Sequence, residues 1–374
     1  MPPSTHSLSP DAPPPAAAPP RPAVRRPINL ALQGGGSHGA FTWGVLDALL
    51  EDDRLEVDGI SGASAGAVNA VAVAHGFAQA KGRGAAEAHR QARASLDRVW
   101  RGVAQLGSLG AMAQGMVRML MGGWSPEKLG AGAFGGAMSA LMSPYQANPL
   151  GINPLRGLLE QEIDFAAIGR LAVPRVFVSA THVRTGRAEI FDGKRLTLDA
   201  VLASTCLPTV FQAVEIDGEH YWDGGFAANP ALQPLITGCA APDIVLVQLN
   251  PLQRDAVPQS AQDIEDRVNE LTFNASLLSQ MRSIDFINRM LDSGHLREGD
   301  EYRSLFLHRI DGGEAMGELP ASSKLSTDPA MIDRLFALGR QAANHWLHEH
   351  AHALGRRTTI DIRRDYVGNL PRGV

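Results

Sequence analysis

The chain has 374 residues, 44% hydrophobic and 20% charged, with a formal net charge of −5. That length suffices for one large domain or two or three small ones, with a sizeable core, and the charge removes the global basic field that nucleic-acid binding would use. The two cysteines, Cys206 and Cys239, exclude a disulfide framework and a four-thiolate zinc site, and read as reduced, buried thiols of a cytosolic protein.

Residues 1–26 are rich in Pro and Ala. They lack the charged and apolar regions of a secretory signal, and proline at this density predicts a disordered tail. Arg21, Arg25 and Arg26 close it; three charges are a weak attractor for an anionic membrane, and a solvated tail is the simpler reading. No run of 18 apolar residues occurs, so no transmembrane segment is expected.

Ile28–Leu32 reads as a short buried strand and is followed by the loop Gln33-Gly34-Gly35-Gly36-Ser37-His38-Gly39. Phe41, Val45, Ala48 and Leu49 recur at helical spacing. Val57–Ser61 is a second strand, then comes Gly62-Ala63-Ser64-Ala65-Gly66, then a helix of small residues to about Ala80. This strand-turn-helix repeat implies a parallel sheet covered by helices. Further strands are expected at Arg175–Ala180, Ala188–Phe191, Tyr221-Trp222, Ile244–Leu249 and Phe306–Ile310. Further helices are expected at Ala85–Arg101, Asn153–Glu162, Leu198–Ser204, Ala261–Leu291 and Pro329–His350, the last capped by Ser326-Thr327-Asp328-Pro329. Residues 102–150 hold six of the eleven methionines, Met112, Met116, Met119, Met121, Met138 and Met142, among many glycines. Such a stretch suits a mobile apolar lid over a lipid site, and equally ordinary core helices.

The loop Gly34-x-Gly36-x-x-Gly39 satisfies the dinucleotide fingerprint as a string. A dinucleotide site also needs an acidic residue at the end of the second strand to hold the ribose hydroxyls. Asp58 lies too early, inside that strand, and the strand end carries Ser64. The same loop amides can instead stabilise an oxyanion, where each positioned donor contributes roughly 2.7–4 kcal/mol. Within the cradle Gly34, Gly35 and Gly36, the last two are the most reachable, and Ala65, directly after the serine, adds another amide. Gly62 and Gly66 clear the space that a serine on a sharp strand-to-helix turn requires.

A serine hydroxyl needs a base. Twelve histidines are present, among them His38 in the loop, His220 before Tyr221 and His308 in a late strand. A surface or packing role is the simpler reading of each. A carboxylate acting directly is the alternative. Asp192-Gly193 and Asp217-Gly218 look like turns between strands. Asp223-Gly224-Gly225 and Asp311-Gly312-Gly313 are identical tripeptides, so the tripeptide does not choose between them.

Four motifs in order, Gly34 to Gly39, Gly62 to Gly66, Ala203-Ser204-Thr205-Cys206-Leu207-Pro208, and Asp223-Gly224-Gly225 followed by Asn229-Pro230, resemble the bacterial patatin-like phospholipase family. The resemblance covers residues 28 to about 230. It implies a three-layer α/β/α fold with a central, mostly parallel sheet, related to α/β-hydrolases. It implies a Ser64 nucleophile with Asp223 as base, the latter selected by Asn229-Pro230, and leaves Asp311 as a decoy. Gly39, Gly62, Gly66, Gly224 and Gly225 are its supporting glycines. The implied activity is hydrolysis of acyl esters in lipids, with no metal and no cofactor. The family's loop often carries Arg or Lys where this chain has Ser37-His38, so His38 is the first residue to consider for that charge. The expected organisation is a tail at 1–26, an acyl hydrolase domain at 27–350 with 251–350 mainly helical, and a loosely packed tail at 351–374. The expected partner is a lipid or fatty ester, and the expected location is the cytoplasm, with peripheral contact at the inner membrane face. Two other functions fit parts of this pattern: acyl transfer to a hydroxyl other than water, and a non-catalytic dinucleotide-binding module.

Overall fold

The computed structural model describes residues 25–120, 143–299, 302–319, 323–324 and 326–368, apart from the side chains of 108–120, 147 and 262. The expected tail at 1–24 and the centre of the Met-rich stretch, 121–142, lie outside the described residues.

Among the described residues eight strands form one sheet. They are β1 (Arg26–Leu32), β2 (Leu55–Ala63), β3 (Arg175–His182), β4 (Ala188–Asp192), β5 (Val214–Ile216), β6 (Glu219–Asp223), β7 (Asp243–Val247) and β8 (Phe306–Ile310). The order is β5-β6-β3-β2-β1-β7-β8, with β4 also paired to β3. The five central strands from β3 to β8 are mutually parallel, while β4, β5 and β6 join antiparallel. This is the expected mostly parallel α/β architecture. The short β5 was not anticipated; the turn Asp217-Gly218 that joins it to β6 was, and both turn residues have positive φ, 53° and 79°, as a tight hairpin requires.

The alternation along each strand explains the layers. Leu30, Leu32, Ile60, Val176, Val178, Val245 and Val247 belong to one core cluster, and Ala31, Phe177, Ile244 and Leu246 to the other. The first face is covered by α1 (Gly39–Glu51), α2 (Ala65–Ala80), α3 (Ala85–Leu120), α5 (Pro154–Glu162), α6 (Phe165–Ile168) and α7 (Leu198–Ser204), with the short, largely exposed α4 (Pro144–Ala147) preceding α5. Helix α1 is buried at every position except its last, Glu51, because it lies between the sheet-side helices and α11 (Pro329–His350). The second face is covered by α8 (Gln233–Gly238) and α9 (Ala261–Asp292), and α10 (Gly313–Gly317) follows β8.

Two boundaries differ from the sequence reading. Helix α3 runs on to Leu120, so the first part of the Met-rich stretch, with Met112, Met116 and Met119, continues a helix. The expected loose tail after 350 is instead packed through Gly368. Leu354 and Tyr366 are buried, Thr359 N–H donates to the Leu307 carbonyl of edge strand β8, and Tyr366 donates to Gln248 at 2.8 Å. Its arginines face outward and its few apolar residues cover an open sheet edge, a pattern too sparse to read as periodic.

Candidate active site

Ser64 follows the last residue of β2 and caps α2 with φ 52° and ψ −125°. A non-glycine residue rarely holds this backbone, and it persists only where neighbours enforce it. Here the Ser64 N–H donates to Ser204 Oγ at 2.9 Å, and its carbonyl accepts from Ala67 and Val68 to start the helix. A Cβ at Gly66 would strike the Leu32 carbonyl, and one at Gly62 the Gly66 carbonyl. The turn therefore has room for no side chain at either flanking position.

Strand register carries Asp223 toward Ser64. Ala63 pairs with Ser179 of β3, and the adjacent Ala180 pairs with Asp223 at the end of β6. The Asp223 carboxyl is fully buried. Oδ1 accepts the Gly225 N–H at 2.7 Å, and Oδ2 has no formed hydrogen bond. Burial pushes its pKa up from the ordinary carboxylate range to about 7, against the pull of the Gly225 amide and the Ser64 hydroxyl. The Ser64 hydroxyl is thus near enough to act on the carboxyl electrostatically, with no hydrogen bond formed to Oδ2. A Cβ at Gly224 would collide with the Ser179 carbonyl and one at Gly225 with the Phe273 ring, so these glycines let the aspartate loop close on β3 and α9.

The decoy shows what burial contributes. Asp311 makes the same local turn, accepting the Gly313 N–H at 3.1 Å. It is half-exposed and paired with Arg309 at 2.7 Å, far from the buried setting of Asp223. His308 is buried and engaged at both ring nitrogens, with Asp243 at 2.9 Å and Thr359 at 3.0 Å. His220 is exposed on β6. Asp58 accepts the N–H groups of Ala240 and Ala241, each at 2.7 Å, so it is committed to a turn and does not serve a ribose.

The glycine loop follows β1 and runs beside the Ser64 turn. A Cβ at Gly34 would lie 2.7 Å from the Ser64 Cβ, which accounts for glycine there. One expected role is corrected: the Gly34 N–H donates to Asn229 Oδ1 at 2.6 Å and is not free for an oxyanion. The amides of Gly35 and Gly36 have no partner among the described residues, and those of Ala65 and Gly66 sit in a first helical turn that offers them no acceptor. Gly39 sits where a Cβ would be 2.7 Å from Ala65 and 2.9 Å from Trp100, so it lets the loop's helix pack on α2 and α3. His38 is not the loop's charge. Burial, aided by Lys324, holds its pKa down to about 3, and its Nε2 contacts Ser323 Oγ at 2.7 Å.

Four further residues hold the loop, a role the sequence reading gave to none of them. Gln33 Oε1 accepts the backbone N–H groups of Leu249 and Asn250, both at 2.9 Å. Asn250 Nδ2 donates to the Gly34 carbonyl at 3.0 Å, Lys324 Nζ donates to Asn250 Oδ1 at 2.6 Å, and Asn229 ties the loop to the segment after Asp223. Of these only Asn229 had a signal, the Asn-Pro pair; the others join segments more than 70 residues apart. Among the described residues no group of three or more His, Cys, Asp or Glu side chains is placed to hold a metal ion, and no helix is long and apolar enough to cross a membrane.

The sequence profile of the patatin-like phospholipase family matches residues 30–236, a span that includes Ser64 and Asp223 and more than half of the chain. No curated protein matches. The crystal structure of VipD from Legionella pneumophila is similar at 16% identity over 88% of this chain and 68% of that chain, with a TM-score of 0.40. The chain belongs to the patatin-like phospholipase family.

Proposed function

We propose that the protein is a lipid acyl hydrolase that cleaves carboxylic esters through a Ser64–Asp223 dyad. Family membership supports hydrolysis of lipid acyl esters in general. The dyad rests chiefly on one observation: Asp223 is fully buried and, among the described residues, has no cationic partner and keeps one carboxylate oxygen unoccupied beside Ser64.

Asp223 takes the hydroxyl proton as Ser64 Oγ attacks the ester carbonyl. The amides of Gly35, Gly36 and Ala65 receive the developing oxyanion. The tetrahedral state collapses, the C–O bond to the alcohol breaks, and Asp223 returns its proton to the departing alkoxide. Water then attacks the acyl-enzyme with Asp223 again as base, releasing the fatty acid and restoring Ser64. A base with a pKa near 7 is matched to this task at neutral pH. The strained Ser64 backbone supports the same reading, because it presents the hydroxyl clear of the strand that precedes it.

The test is turnover of a chromogenic fatty ester. Ser64→Ala and Asp223→Asn are each expected to reduce kcat by a factor on the order of 10³ or more, while Asp311→Asn keeps wild-type turnover. Full activity in Asp223→Asn, or loss in a folded Asp311→Asn, would move the base elsewhere.

A further inference from the structure

The loop amides opposite Ser64 are connected to a cation that arrives from far away in the chain. Lys324 lies between β8 and α11, yet its carbonyl fills the space that a Cβ at Gly36 would need. Its ammonium donates to Asn250 Oδ1 at 2.6 Å. The same Asn250 amide group donates through Nδ2 to the Gly34 carbonyl at 3.0 Å. That carbonyl belongs to the peptide unit whose N–H is the amide of Gly35. The bonds therefore run head to tail, from ammonium to carboxamide to peptide, and end on a free N–H. Hydrogen bonds in such a chain polarise one another, by perhaps 10–30% per bond, and a cation at the head polarises in the direction that makes the last N–H a stronger donor.

We propose that Lys324 is a positioning residue for the reaction at Ser64, fixing the glycine loop through Asn250 and strengthening the Gly35 amide as an oxyanion donor. The inference rests on the Ser64–Asp223 reading. It accounts for the Ser37-His38 pair: the loop carries no cation of its own, and His38 is neutral at working pH. Asn250 has a second hold on the loop, through Gln33 Oε1 at 3.2 Å, so the relay is built on a fixed group.

The effect requires a protonated lysine. Burial lowers the pKa of Lys324 to about 8, opposed by Glu270 and Asp266 and assisted by Arg254. Glu270 is held in its charged form by Arg254 and Arg267, and His38, from the loop side, is already neutral. Among these neighbours Lys324 is the group that changes charge as the pH passes 8.

The experiment is the pH dependence of kcat and KM on a soluble chromogenic fatty ester for wild type, Lys324→Met, Lys324→Arg and Ser64→Ala, with thermal unfolding as the folding control. The wild type is expected to lose activity above about pH 8. Lys324→Met should lower kcat about tenfold at pH 7.5 with KM within about twofold, a smaller loss than the roughly 10²–10³ of removing a donor outright, and its alkaline limb should vanish. Lys324→Arg should recover most of kcat and move that limb beyond about pH 10. A kcat for folded Lys324→Met within twofold of wild type overturns the proposal, as does an alkaline limb that stays in place in Lys324→Arg. Should Lys324→Met fail to fold, the Lys324→Arg profile decides alone. Activity lost in Ser64→Ala but kept in Lys324→Met overturns only the role of Lys324, whereas activity surviving in Ser64→Ala overturns the dyad and this inference together.

Discussion

Asp223 and Asp311 share a tripeptide and a local hydrogen bond, and differ in what lies beyond them. Desolvation raises the pKa of Asp223, while Asp311 is half-exposed and paired with Arg309. The pH dependence of stability follows with a definite sign. A carboxyl with a folded pKa of about 7 and an unfolded value near 4 favours folding most when it is protonated. Its contribution is complete below the unfolded value and is lost as the pH rises toward about 7. Asp223→Asn, which removes the buried charge, is therefore expected to raise the unfolding midpoint above that of wild type at pH 8, by a free energy on the order of 1–4 kcal/mol. The two proteins should converge near pH 4; equal midpoints at pH 8 would show that the carboxylate is solvated. With Asp223 as the proposed base, turnover is expected to rise through about pH 7 as its carboxyl becomes charged; a flat profile between about pH 5 and 8 would count against that role.

Turns and helix crossings place these residues. The strand-turn-helix unit around Ser64 was visible as spaced glycines, and the glycines act at contacts between elements. The crossing of α1 and α11 shows the same economy of space away from the site. A Cβ at Gly44 would strike the Phe336 carbonyl, and one at Gly339 the Phe41 carbonyl, so the two helices approach backbone to backbone, with Trp43 against Phe336 at 4.1 Å beside them. Gly339→Val is expected to force the helices apart and cost at least about 2 kcal/mol, read as a lowered unfolding midpoint. A neutral outcome would mean that the crossing is free to open. The elements missed from sequence, β5, α4, α6, α8 and α10, are three to six residues long; pairing and packing hold them where a hydrophobic period has no length to register.

Across the molecule, the chain after β8 completes both the sheet edge and the site. Lys324 reaches the glycine loop, and residues 354–368 close over β8. His308, Asp243 and the Gly355 N–H form a buried cluster, with the amide 2.9 Å from Asp243 Oδ1. Asp243→Ala leaves His308 Nε2 and the Gly355 amide unpaired and should destabilise on the order of 3 kcal/mol, without moving the pH profile of Ser64 chemistry. A shifted profile would place His308 in the reaction after all. The positions of most strands, the Ser64 turn and the family were legible from local pattern, because glycine spacing and strand alternation express constraints between near neighbours in the chain. The choice of Asp223 from sequence leaned on the Asn229-Pro230 that follows it. Its burial against the exposure of Asp311, the loss of Gly34 as a donor, the neutral state of His38 and the approach of Lys324 were settled by the fold. Each depends on desolvation or on a hydrogen bond between segments far apart in the chain, and no local pattern of residues encodes either.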